Sequence, residues 1–183
     1  MMMSKTTHDT CSLCDIALEC GLVPGRGRGD RHSLMYVLAS PTKSDYKNGI
    51  CTSRNTKKIQ EFNDKRNLLA YYTTLIKCVT NTIRRKHLDN CSPRFKKELF
   101  ETNPKIIIPV GDIATKEFLD YTYFKHVVDK ASIIKANGND IIIYPIYHPS
   151  YGTKEDIEKI YENSFKRITL LYSKFIDKNY LIL

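Results

Sequence analysis

Two stretches of this chain are almost wholly apolar: Ile-Ile-Ile-Pro-Val at 106–110 and Ile-Ile-Ile-Tyr-Pro-Ile-Tyr at 141–147. A strand with one wet face alternates apolar and polar residues, whereas a strand covered on both faces has no reason to alternate. Short runs of this kind predict central strands of a parallel sheet with helices on both sides.

The rest of the pattern agrees. Residues 33–40 (Ser-Leu-Met-Tyr-Val-Leu-Ala-Ser) read as a first strand stopped by Pro41, and residues 68–77 as a second. Between them, residues 42–55 are polar and read as a long loop, followed by a short basic helix over 56–65. Ser92-Pro93 is the expected start of a helix that buries Phe95, Leu99 and Phe100 and is broken by Asn103-Pro104. Asp112 is expected to cap a helix over 113–119. Residues 120–139 read as irregular, with a short strand around 126–128 and a turn at Asn137-Gly138-Asn139. Thr153 with Asp156 resembles a capping box opening a long helix, whose apolar stripe is Ile157, Ile160, Tyr161, Phe165, Ile168, Leu171, Tyr172 and Phe175.

Strands alternating with helices predict an α/β fold, a three-layer α/β/α sandwich around a mostly parallel four-stranded sheet. One domain is expected over residues 1–183, with 1–10 a flexible end. Ligands of such sheets sit beyond the carboxyl ends of the strands. Pro41, residues 74–78, Gly111 and His148 fall there together.

Charge narrows the partner. The chain has 29 Lys+Arg against 20 Asp+Glu, a formal +9, which favours a polyanion: nucleic acid first, an anionic membrane face second. No apolar run approaches the ~20 residues that span a bilayer, so no membrane partner is expected. The start lacks the apolar core of a signal peptide, so the protein is expected not to be secreted and to work in a reducing, cytoplasmic setting. Six cysteines there read as ligands before disulfides. Cys11-Ser-Leu-Cys14 suits zinc, an iron–sulfur cluster or a redox pair, and a helical turn over residues 15–20 is expected to follow it. The Gly/Arg stretch over 22–30 reads equally as a phosphate-tracking loop or as a solvated turn.

The order of parts is specific. Cys-x-x-Cys comes first, then Val-Pro-Gly, a strand ending at a proline and Lys77-Cys78. Cys91 opens the next helix, and Asn-Pro-Lys-Ile-Ile-Ile-Pro-Val-Gly and His148-Pro149-Ser150 follow. This resembles the uracil-DNA glycosylase superfamily, in particular its iron–sulfur-bearing families four and five, over roughly residues 11–172. The resemblance implies that Cys11, Cys14, Cys78 and Cys91 ligate a [4Fe–4S] cluster, with a four-cysteine zinc site as the alternative. Cys20 and Cys51 have no counterpart as ligands. The resemblance also implies that His148 donates to a carbonyl oxygen of the departing base, an oxyanion-hole kind of stabilisation. Tyr151-Gly152-Thr153 corresponds to the loop that wedges into the duplex when a base is flipped.

Several pocket positions depart from that family. Its first motif, Gly-Glu-x-Pro-Gly or the same with an apolar residue for Glu, here reads Leu38-Ala39-Ser40-Pro41-Thr42. Ala39 provides no carboxylate to orient water, and Thr42 stands for a glycine. No aromatic stands at 50–53 to stack on a base, although Tyr46 is near in sequence. Thr74 replaces the asparagine whose amide reads the base edge, and a hydroxyl cannot present the amide's paired donor and acceptor. These changes favour a DNA-binding member with a degenerate pocket, acting in replication or repair, with a place open to it as a subunit of a larger assembly of replication or repair proteins. The alternative is an active DNA glycosylase of altered base preference that uses His148. The Lys-, Asn-, Ile- and Tyr-rich composition points toward an AT-rich genome such as a phage's or virus's.

Overall fold

The computed structural model describes residues 14, 25–27, 33–48, 53–136 and 138–180. The strands are β1 (Arg26–Gly27), β2 (Leu34–Leu38), β3 (Ala70–Thr74), β4 (Ile106–Pro109), β5 (Ser132–Ala136) and β6 (Asn139–Ile143), and they form one sheet in the order β1-β3-β2-β4-β6-β5. The four expected strands are its parallel centre, because β3–β2, β2–β4 and β4–β6 all pair parallel. The expectation of four strands is corrected to five full strands plus the two-residue β1. The additions, β1 on β3 and β5 on β6, are antiparallel and lie at the two edges.

The edges escaped the sequence reading for a physical reason. β5 is only half covered, alternating between partly buried and exposed residues, and so lacks the continuous apolar signature. It forms a hairpin with β6 through a two-residue connection in which Gly138 has φ +76°. Around 126–128, where a strand was expected, the chain instead makes a 3-10 turn over Phe124–His126. The expected Gly/Arg loop contributes Arg26–Gly27 to the sheet, and its remaining residues apart from Gly25 lie outside the described ones. Residues 1–10 and the expected turn at 15–20 lie outside them as well.

The helices are α1 (Lys43–Asn48), α2 (Arg54–Asp64), α3 (Arg85–Thr102), α4 (Asp112–Thr115) and α5 (Lys154–Tyr180). Leu34, Tyr36, Ile106 and Ile108 point to one side of the sheet, against Ile59 and Phe62 of α2 and Ile157, Tyr161, Phe165 and Ile168 of α5. Met35, Val37, Ile107 and Ile143 point to the other, against Phe95 of α3 and Ala114 of α4. The three-layer α/β/α expectation therefore holds. No helix among the described residues is long and apolar enough to cross a membrane.

Three helix starts differ from expectation. The 42–55 segment is not a plain loop, because Thr42 and Asp45 form a capping box that starts α1. The Thr42 N–H and Oγ1–H donate to Asp45 Oδ2 at 2.8 Å each, and the Asp45 N–H donates back to Thr42 Oγ1. α3 starts at Arg85 rather than at Ser92, and it carries Pro93 internally. Its start is served by the Arg84 N–H donating to His87 Nδ1, and Asn103, at φ 43°, ends it. Gly111, not Asp112, is the cap of α4. The box at Thr153 and Asp156 forms as expected, with Thr153 Oγ1–H donating to Asp156 Oδ2 at 2.7 Å.

Candidate active site

A cavity of about 550 Å³ opens beyond the carboxyl ends of β2, β3 and β4. Ala39, Ser40, Pro41 and Thr42 reach it as the chain leaves β2, and Thr74 reaches it as the last residue of β3. An isolated parallel bridge between Val110 and Ile146 prolongs the β4–β6 pairing, so Gly111 and His148 emerge side by side. Six of the residues singled out from sequence thus line one cavity: Ala39, Ser40, Pro41, Thr42, Thr74 and His148. Pro149 and Ser150 line an adjoining cleft instead. Tyr151 is exposed and stacks on Tyr147, with ring centroids 4.2 Å apart.

His148 is held in one protonation state by its own turn. Ser150 N–H donates to His148 Nδ1 at 3.3 Å, and Ser150 Oγ stands 2.7 Å from the same nitrogen. A nitrogen that accepts from a backbone N–H carries no proton, so the neutral ring has its hydrogen on Nε2. Burial pushes the His148 pKa below the ordinary histidine value, which keeps the ring neutral near pH 7. Gly111 permits this position of the imidazole. A Cβ at Gly111, whose φ is +85°, would meet the His148 Cβ at 3.2 Å.

Thr74 is 2% exposed, and its Oγ1 has no hydrogen-bond partner although it lines the cavity. An unsatisfied buried hydroxyl costs about 1–3 kcal/mol unless something bound supplies the bond. Sequence reasoning missed Asp45, Ser53, Asn55 and Asn81, which also line the cavity. The signal for Asp45 was the Thr-x-x-Asp spacing at 42–45. Its carboxylate is engaged on both oxygens, Oδ2 by Thr42 and Oδ1 by the Ser53 N–H at 2.6 Å. It braces the start of α1 against the cap of α2.

The family described as the Uracil DNA glycosylase superfamily matches residues 20–163. This chain belongs to that superfamily. A type-4 uracil-DNA glycosylase of Sulfurisphaera tokodaii is 25% identical over 174 residues, spanning 87% of this chain and 79% of that relative.

In this superfamily member the three described cysteines gather around Ile83, which also lines the cavity. Cys78 and Cys91 are buried with Ile76, and Cys14, Ile83 and Leu88 pack against them. Cys11, Cys20 and Cys51 lie outside the described residues. Among the described residues, no three His, Cys, Asp or Glu side chains form a ready metal-holding group. The donor chemistry is still that of a thiolate site, with three sulfurs from three separate parts of the chain in an apolar surround. A buried ion pair braces two of those parts. Lys77 Nζ donates to Glu98 Oε2 at 2.6 Å and to Thr73 Oγ1 at 2.5 Å, and Glu98 Oε1 accepts from the Gly25 N–H. Lys77 precedes Cys78, and Glu98 lies on α3 together with Cys91.

Proposed function

We propose that this protein binds DNA, takes an extrahelical base into the 550 Å³ cavity and cleaves its N-glycosidic bond. The observation that carries this reading is the setting of His148: a neutral imidazole with its proton on Nε2, at the edge of an open cavity. As the C1′–N bond breaks, its electron pair stays with the base and charge develops on a carbonyl oxygen. An Nε2–H aimed at that oxygen stabilises the charge without having to give up its proton. Water then adds to C1′ of the sugar, and its proton passes to the departed base anion or to solvent. No carboxylate stands at Ala39 to orient that water, and both oxygens of Asp45 are engaged, so the catalysis rests mainly on stabilising the departing base through His148.

Thr74 favours a second reading, the degenerate pocket, in which the protein holds DNA within a replication or repair assembly without releasing a base. Its single hydroxyl replaces a paired amide, a loss worth about 1–3 kcal/mol of discrimination. Cys11, Cys14, Cys78 and Cys91 would hold a [4Fe–4S] cluster, or zinc in its place. When bound, such a group supplies a covalent tie between the N-terminal segment and the 78–91 loop. A reducing compartment suits these thiols.

A base-release assay separates the two readings. Oligonucleotides carrying uracil, hypoxanthine, xanthine or hydroxymethyluracil are incubated with the protein and with His148→Ala. Release of at least one base, reduced about 10²–10³-fold in the variant, is the expected result. DNA binding with no release from any substrate gives the degenerate pocket instead.

A further inference from the structure

The cavity continues past His148. Asn55 lines it and also lines a second cleft of about 250 Å³, bounded by Arg54 and Lys58 of α2, by Pro149 and Ser150 of the His148 turn, and by Lys154 at the start of α5. A third hollow of about 570 Å³ shares Arg54, Lys58 and Lys154 with the second and adds Lys57, together with two carboxylates, Glu61 and Glu158. Three hollows in series thus share walls, and the cationic side chains are concentrated in the last two.

We propose that the second and third hollows are a track for the phosphodiester backbone flanking the extruded nucleotide. The second would seat the phosphate next to the base cavity and the third the phosphate beyond it. This rests on the reading of the cavity as a base pocket, and it assigns Arg54, Lys58 and Lys154 as the phosphate-binding residues.

The chemistry favours phosphate. Three cations and no carboxylate line the second cleft among the described residues, so an anion there meets no like charge in its wall. Glu158 in the third hollow pairs only loosely, 3.8 Å from Lys58 Nζ and 4.0 Å from Lys154 Nζ. Both lysines can therefore turn to a phosphate with little lost. Asn55, standing in the wall between cavity and cleft, lies where a nucleotide would cross from base to backbone. α2 and α5 form one helical layer and Cys91 on α3 lies in the other, so the track runs on the layer away from α3.

The test measures binding separately from base release. A fluorescent oligonucleotide with a tetrahydrofuran abasic analogue is titrated at several salt concentrations, against the unaltered protein and against the triple variant Arg54→Gln/Lys58→Gln/Lys154→Gln. Each cation neutralising a phosphate contributes about 0.7–0.9 to the slope of log affinity against log salt. Two phosphates are seated in the track, so the triple variant should lose about 1.4–1.8 from the magnitude of that slope. Lys96→Gln/Lys97→Gln/Lys135→Gln, which removes as many charges from α3 and β5, should leave it nearly unchanged. A methylphosphonate beside the abasic position should weaken binding to the unaltered protein and add nothing in the triple variant.

An unchanged slope in the triple variant, or an equal fall in the control, overturns the track. If the slope falls as expected while no base is ever released, the track stands and the glycosylase reading fails. If bases are released but the slope is unchanged, the reverse holds.

Discussion

Thr74 lines the cavity and keeps a buried hydroxyl with nothing to bond it, and that makes it the most informative single position in the pocket. Thr74→Val keeps the shape and removes the unsatisfied oxygen, so the variant should be more stable by about 1–3 kcal/mol, read as a raised thermal midpoint. Thr74→Asn should instead sharpen discrimination for uracil by about 1–3 kcal/mol, measured as a ratio of release rates between bases. His148 gives a prediction in pH. Its folded-state pKa lies below the ordinary 6.5, so the unfolded chain binds the proton more readily than the folded one. The stability this residue contributes is complete above about pH 6.5 and is lost as the pH falls through the lower folded-state value. An NMR titration of the imidazole should show a midpoint below 6.5 with Nδ1 unprotonated at neutrality. A midpoint above 6.5 would contradict the burial argument.

Among the elements, the Lys77–Glu98 pair decides how firmly β3 is joined to α3. Its side chains are 4% and 17% exposed, and Thr73 shares the same carboxylate oxygen. Glu98→Ala leaves a buried ammonium uncompensated and should cost about 3–5 kcal/mol, whereas Lys77→Met/Glu98→Leu should recover most of that loss. Denaturant unfolding of the three proteins checks both statements.

Legibility in the sequence followed burial. The parallel strands were readable because β2 and β4 are apolar and buried throughout, β6 is so over Ile141–Ile143, and β3, although it ends in two threonines, is rich in the aromatic and β-branched residues that strands favour. β5 was not, although the Asn-Gly pair after Ala136 is a hairpin signal that would have revealed it. α1 was missed through Thr42 and Asp45, the same spacing that gave α5 its start at Thr153 and Asp156. Ser92-Pro93 misled because a proline that fits a first turn was also accommodated within a longer helix. The cavity was legible because its residues sit at strand ends, but Asn55 was not, since it arrives on a helix whose orientation depends on the whole packing.

At the scale of the molecule, Cys14 meets Cys78 and Cys91 from a region far away in sequence, which suits a group that fastens the chain to itself. Protein purified without oxygen should be brown, and its visible absorbance should vanish in Cys78→Ala or Cys91→Ala. A colourless protein with stoichiometric zinc would replace iron by zinc. α5 fastens the other side. Its Tyr161, Phe165 and Ile168 complete the core against β2 and β4, and the Tyr161 hydroxyl donates to the carbonyl of Tyr147, one residue before His148. That bond gives the chain a timetable. Until α5 has docked on the sheet, the His148 turn lacks this support, so the pocket is completed late in folding, after the core between α5 and the strands has closed.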